Sequence, residues 1–195
     1  MNTTCKNQKF VFSEQEYNSG DGMLTTVWGP GMWHYLHTMS FNYPVHPTKE
    51  DKKHYKDFVL QLQHVLPCSK CRENLKKNFK SMPLTNAHMK NRTTFSKYIY
   101  DLHEKINALL NKKSGLSYCD VRERYEHFRS RCVKTLKEKY LKNKTKKVRF
   151  DKDLVKEKGC TEPLYGEKSK CVLQIIPENT RCETLQIDEK CIKHK

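Results

Sequence analysis

LPCSKCRENLKKNF, residues 66–79, decides the fold, because it sets two cysteines three apart directly behind a proline. A C-x-x-C pair occurs in a βαβ redox fold or on a helical scaffold, and the flanking periodicity separates the two. On the N-terminal side, Tyr55, Phe58, Val59, Leu62, Val65 and Leu66 form a stripe at helical spacing. Thr48 can cap that helix, with Asp51 three residues later, and Pro67 ends it. On the C-terminal side, Leu75 and Phe79 recur at i and i+4 in a short helix that begins at the cysteines. Helices on both sides argue against a βαβ unit.

Further outward, Trp33, Leu36, His37 and Phe41 share one helical face, with Gly29 and Pro30 as its expected start and Tyr43-Pro44 as its end. A longer helix is expected from about residue 93 to 111, with Phe95, Ile99, Leu102, Ile106, Leu109 and Leu110 on or beside one face and Lys-Lys-Ser-Gly as its stop. Val121, Tyr125 and Phe128 belong to a fifth, from about 119 to 132. The pattern predicts an all-α fold, a four-helix bundle plus a short fifth helix, over residues 23–132. Residues 1–22 form a tail, 133–158 a basic linker or helix, and 159–195 a Cys-containing extension. In that extension "CVLQIIPENTRCETLQI" suggests a small β-hairpin across which Cys171 and Cys182 could face each other.

The formal net charge of +16 suits nucleic acid, an anionic membrane or a phosphate-bearing ligand, and does not choose among them. Much of it lies in Lys134–Arg149, "KTLKEKYLKNKTKKVR", a run more often a solvated face or linker than a nucleic-acid site. No stretch reaches the length needed to span a bilayer, and the first residues lack the apolar region of a secretory signal. Nine cysteines exceed ordinary cytosolic usage, so thiol chemistry, disulfides or a metal must account for them.

For Cys68 and Cys71 the spacing alone leaves three readings open: a zinc half-site, an inert local disulfide, or a redox pair that turns over. Zinc needs a second pair of ligands; none follows at finger spacing, although His64 and His88 are candidates. Turnover is favoured by a helix N-terminus, where free N–H groups, with Lys70 and Arg72, stabilise a thiolate. Two cysteines cannot pass electrons to oxygen unaided, so an oxidase needs a cofactor. Trp33 and His37 lie one turn apart, as do His103 and Asn107, so each pair faces one way from its helix.

"WGPGMWHYLHTMSFNYP", "LPCSKCRENLKKNF", "FSKYIYDLHEKINALLNKK" and "CDVRERYEHF", in this order and spacing, resemble the FAD-linked sulfhydryl oxidases of the Erv/ALR family over about residues 25–132. The resemblance implies an FAD-binding helical bundle, usually a homodimer, that passes electrons from protein dithiols through C-x-x-C and flavin to molecular oxygen. It makes Cys71 the flavin-proximal cysteine and Cys68 the one that meets the incoming thiol. It assigns Trp33, His37, Tyr43, His103, Asn107 and Lys112 to FAD. Arg124 and Tyr125 stand where the family has an Arg-Trp pair beside the adenine. It also implies a structural disulfide between Cys119 and Cys132, and no metal. The family often carries an extra shuttle pair in a tail, and neither tail here holds a second C-x-x-C. Cys5, Cys160, Cys171, Cys182 and Cys191 therefore either shuttle electrons or staple an accessory module.

The alternative is a basic nucleic-acid-binding module with structural zinc or disulfides. The resemblance permits a mitochondrial intermembrane space enzyme, or a large-DNA-virus enzyme working in host cytoplasm and virion. The Lys- and Asn-rich tails favour the viral setting.

Overall fold

The computed structural model describes residues 12–130, 160, 163–168, 176 and 187–192. Six α-helices run in order, α1 (Glu14–Tyr17), α2 (Thr25–Asn42), α3 (Lys49–Val65), α4 (Ser69–Ser81), α5 (Arg92–Leu109) and α6 (Tyr118–Glu126), and no strand occurs among the described residues. The all-α expectation is met: α2 packs on α5, α3 on α4, and α6 lies across α2.

Local chemistry places most helix ends. Thr48 accepts the Asp51 N–H and the Asp51 carboxylate accepts the Thr48 N–H, a reciprocal capping box that starts α3. Asn91 with Thr94 and Ser117 with Asp120 do the same for α5 and α6. At the end of α5, Asn111 adopts a left-handed conformation (φ 54°), and the Lys112 N–H reaches back to the Asn107 carbonyl. The stop thus falls at Asn111, ahead of the glycine at 115.

The start of α2 differs from expectation. Pro30 is a good first residue of a helix, yet α2 begins five residues earlier and carries Pro30 inside it. Pro30 is exposed, so water can meet the carbonyl that its missing N–H leaves unpaired.

The core gathers the inward faces of α2 to α5. Val59, Phe95, Ile99, Met89 and Tyr43 are fully buried, with Leu36, Leu62, Leu75, Phe79 and Leu102 around them. The Tyr43 ring meets Tyr55 and Phe95 at centroid distances of 4.8 and 4.9 Å, and its hydroxyl donates to the Met89 carbonyl at 3.0 Å. The Arg129 guanidinium donates to the Phe41 carbonyl at 2.8 Å, tying the chain after α6 to the end of α2.

The described part of the extension is attached to that end. Ser130 and Pro163 form an isolated antiparallel bridge, and the Leu164 N–H donates to the Arg129 carbonyl. Residues 163–168 in turn contact 187–192: Glu167 N–H donates to the Lys190 carbonyl, and a Cβ on Gly166 (φ 60°) would lie 2.5 Å from that oxygen. The expected hairpin and its Cys171 and Cys182, like Cys5, Cys132 and the basic run, lie outside the described residues.

Candidate active site

Pro67 separates α3 from α4, and Cys68 is the N-cap of α4. The Cys68 Sγ accepts the Cys71 N–H at 3.2 Å, occupying the position of an ordinary capping oxygen. Both cysteines are free thiols, half-buried, and the Cys71 thiol donates to Cys68 Sγ across 2.6 Å. One helical turn has thus placed them so that side-chain rotation suffices to close a disulfide.

The environment makes the two sulfurs different. The Cys71 thiol and N–H hydrogen bonds, the Lys70 N–H and the Arg72 charge together hold the Cys68 thiol below its usual range, against partial burial. Cys71 packs against the hydrophobic core, and desolvation, reinforced by its hydrogen bond to Cys68, pushes it up to about 11. Of the reduced pair, Cys68 gives up its proton the more readily and Cys71 retains its own.

A second constellation lies between α2, α5 and α6. Trp33 stacks flat on His103, with centroids 3.9 Å apart and planes at 7°. His37 is buried, and its Nε2 shares a hydrogen bond with His103 Nδ1 at 3.0 Å. Tyr125 adds its ring to His37 at 5.2 Å and to Phe41 at 5.5 Å, and its hydroxyl lies 3.3 Å from His34 Nδ1. Desolvation, with the neighbouring His103 and His34, lowers His37 to about 3, and desolvation lowers His103 to about 4. Both imidazoles are neutral near pH 7.

The structure therefore unites Trp33, His37, His103 and Tyr125. Asn107, one turn beyond His103, donates to Glu104 at 3.0 Å. Exposed Lys112 lines an open groove of about 730 Å³ with Glu104, Ala108 and Gly115, and Arg124 is half-buried in the last turn of α6. Tyr43 is not brought to the cluster, since its ring and hydroxyl are used in the core. Cys119 is an exposed free thiol in the first turn of α6, and its expected partner Cys132 lies outside the described residues. Its neighbour Tyr118 turns inward instead, stacking on Phe41 and meeting Ser96 Oγ at 2.8 Å, which leaves residue 119 on the outer side. Of the other cysteines, Cys160 is disulfide-bonded and Cys191 is a buried free thiol.

Sequence reasoning passed over His34. Its signal was present, for His34, His37 and Phe41 fall at i, i+3 and i+7, one face of α2. The zinc reading finds no support: no group of three or more His, Cys, Asp or Glu could hold a metal among the described residues. His64 is exposed, and His88 Nδ1 accepts the Thr85 N–H.

The cluster fits a planar aromatic cofactor. Flat faces are present in Trp33, His103 and Tyr125, and His37 Nδ1 is a buried polar atom with no hydrogen-bond partner among the described residues. Buried polar atoms are rarely left unpaired, so this one is free to bond a bound group.

A capped dithiol on a helical bundle, with a desolvated histidine and aromatic cluster on the same core, defines a thiol-redox scaffold with a candidate site for a planar aromatic cofactor. The chain belongs to the Erv1 / Alr family, whose pattern matches residues 30–129. A probable FAD-linked sulfhydryl oxidase of Acanthamoeba polyphaga mimivirus is 35% identical over 104 residues, covering 53% of this chain and 72% of that protein. An FAD-linked sulfhydryl oxidase of African swine fever virus is 28% identical over 99 residues, covering 51% of this chain and 80% of that one. The Arabidopsis thaliana FAD-linked sulfhydryl oxidase ERV1 is 31% identical over 84 residues, and the matched part spans 42% of that protein.

Proposed function

We propose that the chain is an FAD-dependent thiol oxidase that forms disulfide bonds in substrate proteins, 2 R–SH + O2 giving R–S–S–R + H2O2. The observation that carries this reading is the inequivalent C-x-x-C pair, one thiol held below its usual range at the helix N-terminus and the other packed against the core and pushed up. In the oxidised pair, Cys68 is the more accessible end for an attacking thiolate: a mixed disulfide forms there and Cys71 leaves as the thiolate. The second substrate thiol then attacks the substrate sulfur of that mixed disulfide and releases Cys68. Substrate is oxidised and the pair is reduced; of the two substrate protons, one is taken up by the departing Cys71 thiolate and the other leaves to solvent. Bound FAD supplies the two-electron acceptor that reoxidises the pair and returns the electrons to oxygen.

Trp33, His103 and Tyr125 would offer ring faces to FAD, and His37 Nδ1 a hydrogen bond. Because burial keeps His37 and His103 neutral, either can donate or accept there without a charge being desolvated. Asn107 would contribute an amide, and Lys112 and Arg124 positive charge for the phosphates. Residues 23–132 would form the oxidase domain, with the basic linker and the extension as additions.

A homodimer is supported by apolar surface on adjacent helices: Val27 and Tyr35 on α2 and Phe58 on α3 are exposed, with the Tyr35 and Phe58 rings 6.0 Å apart. No described helix is long and apolar enough to cross a membrane. The two viral relatives support work in a viral setting, while yeast ERV1, 28% identical over 85 residues and named as mitochondrial, keeps the intermembrane space as the alternative.

The test is cofactor content. Purified chain should be yellow and carry one FAD per protomer. Colourless protein that takes up no FAD and holds stoichiometric zinc would contradict the proposal and revive the nucleic-acid alternative.

A further inference from the structure

The turn that presents Cys68 is held from outside its own helix. Within the turn, the Leu66 carbonyl accepts the Cys68 N–H at 2.8 Å and the Arg72 guanidinium at 2.5 Å. The next carbonyl, Pro67, accepts the Met23 N–H at 2.8 Å from the segment before α2. The Met23 carbonyl in turn accepts Trp28 Nε1–H at 3.1 Å, and Trp28 packs against the core. A chain of two hydrogen bonds thus runs from α2 to the peptide that precedes the reactive cysteine.

This approach needs a glycine at 22. A Cβ there would lie 2.7 Å from the Pro67 oxygen, 2.7 Å from Cys68 Cα and 3.3 Å from Cys68 Cβ. The first two atoms belong to backbone and cannot swing away, so any larger residue must lift the segment off the turn. At Gly20, two positions earlier, a Cβ would meet nothing within 4 Å.

We propose that Gly22 is a positioning residue for Cys68, with Trp28 as the anchor that keeps the residue 22–23 backbone against Pro67–Cys68. The Cys68 backbone (φ −162°, ψ 116°) sets where its Sγ points, and the Sγ must point along the helix start to accept the Cys71 N–H. Fixing the Pro67 carbonyl limits rotation of that peptide plane. The backbone of Gly22 also covers one side of Cys68, so an incoming thiolate approaches from the opposite side. The stabilised Cys68 thiolate is what the strap preserves; without it the hydrogen bonds at the helix start loosen.

The inference deepens the proposed role of Cys68 and can be tested apart from it. Reduced full-length chain is alkylated with iodoacetamide across pH 5 to 10, and the Cys68 peptide is quantified by mass spectrometry for wild type, Gly22→Ala, Trp28→Phe and Gly20→Ala. Gly22→Ala should move the Cys68 profile to higher pH and slow alkylation near neutrality by about fivefold, the loss of one ordinary hydrogen bond. Trp28→Phe, which keeps an aromatic side chain and removes the Nε1–H donor, should move the profile the same way by less. Gly20→Ala should superimpose on wild type. Superposition of both Gly22→Ala and Trp28→Phe on wild type would overturn the proposal. If Gly22→Ala fails to fold by helical circular dichroism, superposition of Trp28→Phe alone would overturn it. A shifted profile with unchanged dithiol kinetics would uphold the positioning and remove Cys68 from its role as the substrate-facing cysteine.

Discussion

Lowering the pH from 7 to 5 should cost the folded chain about 4 kcal/mol, and the facing His37 and His103 rings are the cause. Their folded pKa values lie at about 3 and about 4, below the ordinary histidine value of 6.5. Unfolded chains therefore bind protons at pH 5 that the folded chain does not. The stability of neutral histidines is fully present above about 6.5 and falls as the pH drops toward the folded values. At pH 5 the unfolded histidine is about 1.5 units below its pKa, which at about 1.36 kcal/mol per unit gives about 2 kcal/mol for each ring. His34, lowered by partial burial, adds in the same direction. Carboxylates held low, such as Asp51 and Asp120, titrate mostly below this window and leave it to the histidines.

The geometry explains why the rings resist a proton. Two imidazoles sharing one hydrogen bond at 3.0 Å cannot both be charged without repulsion, and a proton on His37 Nδ1 would have no acceptor there. Urea midpoints of the purified chain at pH 7, 6 and 5 read the loss directly. His103→Gln, which keeps a donor and does not titrate, should remove about half of it. A stability that stays flat from pH 7 to 5 would refute the assignment of these rings as buried and neutral.

Phe95→Ala should cost roughly 3–5 kcal/mol by thermal or urea unfolding, because Phe95 is fully buried against Tyr43 and Tyr55. Tyr43→Phe should cost roughly 1–3 kcal/mol with little change in FAD affinity, since it orphans the buried Met89 carbonyl and leaves the histidine cluster untouched. An FAD affinity that drops as far as in His37→Ala would instead return Tyr43 to the cofactor site. Tyr35→Glu should shift sedimentation toward a monomer and leave helix content unchanged; an unaltered dimer would move the interface elsewhere.

Most of the bundle could be read from local chemistry, because helix ends are decided by short-range bonds: Thr48 with Asp51, Pro67 after Leu66, and the Leu75–Phe79 pair each act within a turn. The start of α2 escaped because an exposed proline can be carried inside a helix, and nothing in Gly-Pro-Gly says which side faces water. At the site, spacing along α2 and α5 put Trp33 and His37 on one face and His103 on another, and packing of α2 on α5 brought them together. The placements of Tyr43 and of Tyr118, the neighbour of Cys119, were not legible for a related reason. A residue at a helix boundary can point either way, and long-range contacts at Phe95 and Phe41 decided both. Gly22 was invisible along the chain, since its neighbour Cys68 is distant in sequence.

The central claim is that electrons pass from a dithiol through Cys68 and Cys71 to oxygen. Its most direct measurement is oxygen consumption by FAD-loaded chain with a small dithiol, with peroxide and remaining thiol quantified in the same samples, for wild type, Cys68→Ser and Cys71→Ser. The account predicts one oxygen consumed and one peroxide formed per dithiol oxidised by wild type, with catalytic turnover lost in both variants. Turnover that persists in Cys71→Ser would contradict it.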